Sequence, residues 1–271
     1  MLKLGIIGCG AIGGAVASAV LKEELPGVRL AGILDIAANE ITDRAQQAGV
    51  PVVQQVEELL ALEPSLVLEA AGHQALIAHG RAVVAAGTEL LPMSVGALAD
   101  SVFRTELFGL AKQTGATIYI SSGALGCLDV LRASHALGSL EEVVMTSTKR
   151  PAALTGQPYL VEHGIDVDDL DAPLTVFDGS ATEACLTFPK STNIAASASL
   201  AGLGFERTRV RVVADPNIPR TTHTLLIKGD FGEAQLTLRN LPHPDNPSTT
   251  YLACLGAIAA LNNVQASLRF V

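Results

Sequence analysis

A chain of 271 residues is comfortable for two domains and long enough to bury a sizeable core. Its formal net charge of -9, without any basic run, argues against nucleic-acid binding. The N-terminus enters an apolar run with no export signal, and the longest apolar stretch near the C-terminus, 251–261, is too short to cross a bilayer, so a soluble, cytoplasmic protein with no membrane partner is expected.

The first predicted elements are a strand at 2–7, a turn holding Gly8, Gly10 and Gly13, and a helix in which Ile12, Val16 and Val20 recur at helical spacing. A lone GxGxxG is weak evidence, but here a strand precedes it and a helix follows. The next apolar run, 28–34, ends at Asp35, about 20 residues beyond the last glycine, where a carboxylate would meet an adenosine ribose hydroxyl. Gly8 allows the tight turn, Gly10 lets a pyrophosphate approach the backbone, and Gly13 brings helix and strand together. The helix start at Ala11 and Ile12 offers amides and a positive dipole. The carboxylate of Asp35 repels a 2′-phosphate, which favours NAD, while nearby Arg44 leaves NADP use open.

Alternation continues with a strand at 50–53, a helix at 55–62, a strand at 65–70, a helix at 74–86 closed by Gly87, a strand at 89–91, a long helix at 97–115 and a strand at 116–120. The pattern predicts an α/β fold with a Rossmann-type, doubly wound parallel sheet. Ligands in such sheets sit beyond the carboxyl ends of the strands, which singles out Ala71 and Gly72, Met93-Ser94, and the segment from Ser121 to Ala124.

From about residue 141 the pattern changes. A strand at 143–148, a Pro- and Asp-rich loop at 151–173, helices at 181–188 and 194–203, and strands at 208–214, 221–228 and 233–240 predict an α+β domain with an open mixed sheet. A final helix at 248–261 is expected to pack back on the first domain. The boundaries are read as 1–121 completed by 245–271, and 122–244 for the substrate, catalytic and dimerisation domain.

Three stretches of the second domain carry candidate chemistry. "FPKSTNIAA" sets Lys190, Ser191, Thr192 and Asn193 before an Ala-rich helix, where a Ser or Thr would cap the helix and amides plus lysine would attract an anion such as a substrate carboxylate. His223 in "TTHTLLIKGDFG" falls on the same strand face as Leu225 and Ile227, an inward face that suits either a core histidine or an acid-base group. Lys149 and Arg150 end a strand and either bind a dicarboxylate or face solvent. His73, at a strand's carboxyl end, is a reserve candidate. The four cysteines lie far apart with no CxxC pair and the histidines are scattered, so no metal site is expected.

Taken in order, "GCGAIGG", "EAAGHQAL", "MSVGAL", "SSGALGCLD", "STKRP", "FPKSTNIAA", "ADPNIPRTTHTLLIKGDFGE" and "NPSTTYLACLGAIAAL" resemble the L-aspartate dehydrogenase family over essentially the whole chain. The resemblance implies NAD(P)-dependent oxidative deamination of L-aspartate to iminoaspartate, then oxaloacetate and ammonia, or the reverse. It implies that iminoaspartate feeds NAD biosynthesis in some organisms, that His223 is catalytic, that Ala124 and Asn193 contact the cofactor, and that the chain pairs as a homodimer. It also implies a second small residue, often glycine, at the position of Cys127. The same architecture fits a dihydrodipicolinate-reductase-like or homoserine-dehydrogenase-like enzyme acting on another small acid, or a non-catalytic NAD(H) sensor.

Overall fold

In the computed structural model, which describes residues 1–269 apart from Leu137, Lys190, Ser191 and Asp245, the first apolar run forms β1 (Leu2–Ile7). There follow α1 (Ala11–Leu21), β2 (Val28–Leu34), α2 (Glu40–Gln47), β3 (Val52–Val53), α3 (Val56–Ala61), β4 (Leu66–Glu69), α4 (His73–Ala85), β5 (Glu89–Pro92) and α5 (Ser101–Thr114). The five strands are parallel in the order β3-β2-β1-β4-β5. Both faces are covered. Leu4, Ile6, Leu66 and Leu68 share a core with Val16 and Ala17 of α1, whereas Gly5 and Gly32 turn the other way and leave room for Leu59 and Leu62 at α3. Burial on two faces explains why these strands read as near-continuous apolar runs.

The structure departs from the predicted elements in identifiable ways. The helix expected at 97–115 begins at Ser101, because the Asp100 carboxylate accepts from the Val102 and Phe103 amides at 2.9 and 3.0 Å, and Val95–Ala99 form a separate 3-10 turn. The strand expected at 116–120 contributes a single bridge, Ile118 opposite Leu90. The chain then turns away, the Gly123 amide donating to the Ser121 hydroxyl at 2.9 Å. Helix α2 was not predicted; Asn39 starts it by accepting from the Ile41 and Thr42 amides, and the Thr42 hydroxyl accepts from the Asn39 amide in return.

The chain divides into two compact units, Met1–Gly123 with His243–Val271, and Ala124–Pro242. The second contains α6 (Leu128–Ala136), β6 (Leu140–Lys149), α7 (Pro158–Glu162), β7 (Leu174–Ser180), α8 (Ala181–Thr187), α9 (Asn193–Ala201), β8 (Arg209–Ala214), β9 (Thr222–Gly229) and β10 (Gly232–Arg239). Its sheet runs β10-β9-β6-β8-β7, with β6 and β8 parallel and the other pairs antiparallel. Helix α6 and edge strand β7 were not predicted. One sheet face is buried, with Val143, Met145 and Ser147 of β6 beside His223, Leu225 and Ile227 of β9.

Helix α10 (Tyr251–Gln265) belongs to the first unit, starting later and ending later than the predicted 248–261. Ala257 and Leu261 join the core around Leu4, and the Cys254 thiol donates to the Ala11 carbonyl at 3.6 Å.

Candidate active site

In the first unit the glycines are packed as the fingerprint requires. Gly8 has φ +87°, and a side chain there would meet Ala71 at 2.6 to 2.7 Å. A side chain on Gly13 would overlap the Gly8 carbonyl oxygen, so α1 lies directly on the turn. Gly10 is exposed, precedes α1 in an extended conformation, and has open space where a side chain would be. Half-buried Ala11 and Ile12 open the first turn of α1, whose amides lack helical partners.

Asp35, just beyond β2, is tied to this turn. Its Oδ2 accepts from the Cys9 amide at 2.6 Å and its Oδ1 from the Ala37 amide at 2.9 Å. The carboxylate is therefore held in place with lone pairs to spare. An open backbone at Gly10, a helix start and a fixed acceptor at the end of the next strand fit a dinucleotide: the amides suit a pyrophosphate and Asp35 suits a ribose diol.

Ala71 and Gly72 lie beyond β4, Gly72 at φ +123° ahead of α4, and His73 is the first residue of that helix. Their turn is organised by a residue that the sequence reading missed. Glu69, with 0 % of its surface exposed, accepts at Oε1 from the Ala71 amide (2.8 Å), the Gly72 amide (2.9 Å) and the Ser94 hydroxyl (3.0 Å), and at Oε2 from the Ser94 amide (3.3 Å). Burial pushes its carboxyl up to about 7, against the pull of those donors. The signal in the sequence was an acid closing an otherwise apolar strand.

In the second unit, His223 is 6 % exposed and pairs across the sheet with Ser147, whose Oγ lies 2.9 Å from Nδ1. Lys149 follows two residues after Ser147 and so falls on the same face at the end of β6. Burial first, and the Lys149 charge second, push the His223 imidazole down to about 4, and burial also lowers Lys149. The ring is therefore neutral near pH 7, with one ring nitrogen unprotonated. Ser147 was not singled out by the sequence, because its partner is 76 residues away.

The other candidates are placed differently. Arg150 is exposed and its Nε donates to the Ile218 carbonyl at 2.9 Å, so its guanidinium is committed to a loop rather than to His223. Thr192 precedes α9 but does not cap it; its buried hydroxyl donates to the Phe188 carbonyl at 3.0 Å. Asn193 is the half-buried first residue of α9, and Ala124 is buried. Lys190 and Ser191 lie outside the described residues. Cys127 has φ +60°, a left-handed conformation that a glycine adopts without strain. Among the described residues no cluster could hold a metal ion, and the four cysteines are free.

Comparison with known proteins agrees with both halves. A family model described as the C-terminal part of aspartate dehydrogenase matches residues 129–264, and one described as the NAD-binding domain of homoserine dehydrogenase matches residues 8–121. The chain is 41% identical over 266 residues to an L-aspartate dehydrogenase of Methanosarcina mazei, covering 97% of each chain. It is 38% identical to an L-aspartate dehydrogenase of Ruegeria pomeroyi, covering 99% of this chain and 94% of that one. The crystal structure of aspartate dehydrogenase from Thermotoga maritima superposes with a TM-score of 0.79 at 25% identity, covering 100% of each chain.

Proposed function

We propose, since the chain belongs to the L-aspartate dehydrogenase family, that it oxidises L-aspartate with NAD(P) to iminoaspartate, which water converts to oxaloacetate and ammonia, or runs the reverse reaction. The observation that carries the reading is the buried, neutral His223 beside Ser147 and Lys149, in a chain whose other unit bears the glycine turn with Asp35.

Gly8, Gly10, Ala11, Ile12 and Gly13 would hold the pyrophosphate, Asp35 the adenosine ribose, and Ala71, Gly72, Ala124 and Asn193 the nicotinamide half. Bound there, the cofactor would supply a hydride acceptor for the substrate α-hydrogen. His223 takes the proton released as the amine becomes an imine and then serves the attacking water. Its hydrogen bond to Ser147 engages Nδ1, so in this reading Nε2 would face the substrate. Lys149, with Lys190, Ser191 and Thr192, would hold the two carboxylates and so orient the α-hydrogen. Arg150 is the weakest member of that set, given its bond to Ile218.

The fixed carboxylate of Asp35 supports NAD over NADP, because a 2′-phosphate would meet a like charge. The same family reading includes a homodimer. Among the described residues no helix is long and apolar enough to cross a membrane.

The test is NADH formation by the purified protein with L-aspartate and NAD, beside D-aspartate, L-glutamate, L-homoserine and NADP. Turnover confined to L-aspartate, and faster with NAD, is expected. Silence with L-aspartate but turnover of L-homoserine would replace the reading with the homoserine one.

A further inference from the structure

In the sheet order β3-β2-β1-β4-β5, Asp35 lies at the end of β2 and the glycine turn at the end of β1. A dinucleotide with its adenosine ribose at Asp35 and its pyrophosphate at the turn extends its nicotinamide half toward the ends of β4 and β5. The acid buried at those two strand ends is Glu69, which bonds to the turn after β4 and to Ser94 after β5.

We infer that Glu69 is a positioning residue for the nicotinamide half of the cofactor, fixing Ala71 and Gly72 in the turn after β4 and, through its negative charge, favouring the oxidised cofactor over the reduced one. Three of its four partners are backbone amides, which can only donate, so the arrangement is complementary to a carboxylate rather than to a carboxylic acid. The oxidised nicotinamide ring carries a positive charge and the reduced ring none, so a buried negative charge nearby separates their affinities. Burial opposes ionisation, with the carboxyl raised to about 7, and the charge is therefore fully present only in alkaline solution.

The inference rests on the dinucleotide reading above, and the experiment separates the two. Wild-type protein, Glu69→Gln and Glu69→Asp are titrated calorimetrically with NAD, NADH and ADP-ribose at about pH 9, where a carboxyl titrating near 7 is ionised. Glu69→Gln should weaken NAD about tenfold more than NADH, the scale of one unit charge at protein dielectric, and leave ADP-ribose within about twofold. Glu69→Asp keeps the charge but shortens the reach, so it should weaken both dinucleotides, preserve their wild-type affinity ratio and leave ADP-ribose unaffected; it also serves alone if the Gln variant does not fold. Equal losses of NAD and NADH in Glu69→Gln, a changed ratio in Glu69→Asp, or parallel loss of ADP-ribose in either would overturn the inference. Wild-type protein that binds none of the three would overturn the dinucleotide reading as well. Normal binding without turnover of L-aspartate would overturn only the substrate reading.

Discussion

His223 takes its character from its surroundings. An exposed imidazole titrates near 6.5, but here burial and the Lys149 charge hold it down to about 4, so it stays neutral across the physiological range. His223→Ala should lower kcat by about 10² to 10⁴, the usual weight of a general acid-base group, while NADH affinity measured by fluorescence titration stays within about twofold. Unchanged turnover would remove the histidine from the mechanism. Its place on an inward face was legible from its period-two relation to Leu225 and Ile227, whereas its partner was not. Ser147 becomes a neighbour only through the register of β6 against β9, which a local pattern does not encode. Glu69 was illegible for a related reason: its importance lies in donors contributed by the ends of two strands 25 residues apart.

At the scale of elements, the strand-turn-helix at the N-terminus rests on contacts that admit no side chain. Gly13→Ala would drive a methyl group into the Gly8 carbonyl, a backbone atom that cannot swing aside. The variant should lose about 3 kcal/mol of stability in urea unfolding, the upper end for overpacking, and bind NADH at least about tenfold more weakly. An unaltered urea midpoint would show that α1 can move off the turn. This segment was readable because the spacing of its glycines and apolar residues is local. Elements that escaped prediction have other origins. Helix α2 has eight residues and is mostly polar, its start set by the Asn39 cap rather than by an apolar stripe. Strand β7 is an edge strand whose pattern is interrupted by a register shift between Thr175 and Phe177. The helix expected to begin at residue 97 begins at Ser101 because Asp100, a cap with no capping-box partner to advertise it, decides the boundary.

On the scale of the whole molecule, the buried groups His223 and Glu69 have opposite effects on stability. The folded state binds fewer protons than the unfolded chain at His223, so that contribution is kept above about pH 6.5 and lost as pH falls toward 4. At Glu69 the folded state binds more protons, so that contribution is present below about 4.5 and declines as pH rises through 7. Each amounts to roughly 3 kcal/mol. In urea unfolding, His223→Asn should gain on wild type as pH drops from about 6.5 to 4, and Glu69→Gln should gain as pH rises from about 4.5 to 7. No gain in either variant would mean that these groups titrate unshifted, and gains of the opposite sign that they are shifted the other way. The two residues lie in different units, His223 beside the proposed chemistry and Glu69 beside the proposed cofactor, so acid and base act on different halves of the molecule.

Hydride transfer from the substrate α-carbon is the step on which the whole account depends. Incubating the purified protein with NAD and L-aspartate deuterated at the α-carbon, and recovering the reduced cofactor for mass spectrometry and NMR, tests it directly. One deuterium on the nicotinamide C4 of every molecule formed is the expected result. Reduced cofactor without deuterium, or none formed from L-aspartate at all, would contradict the account.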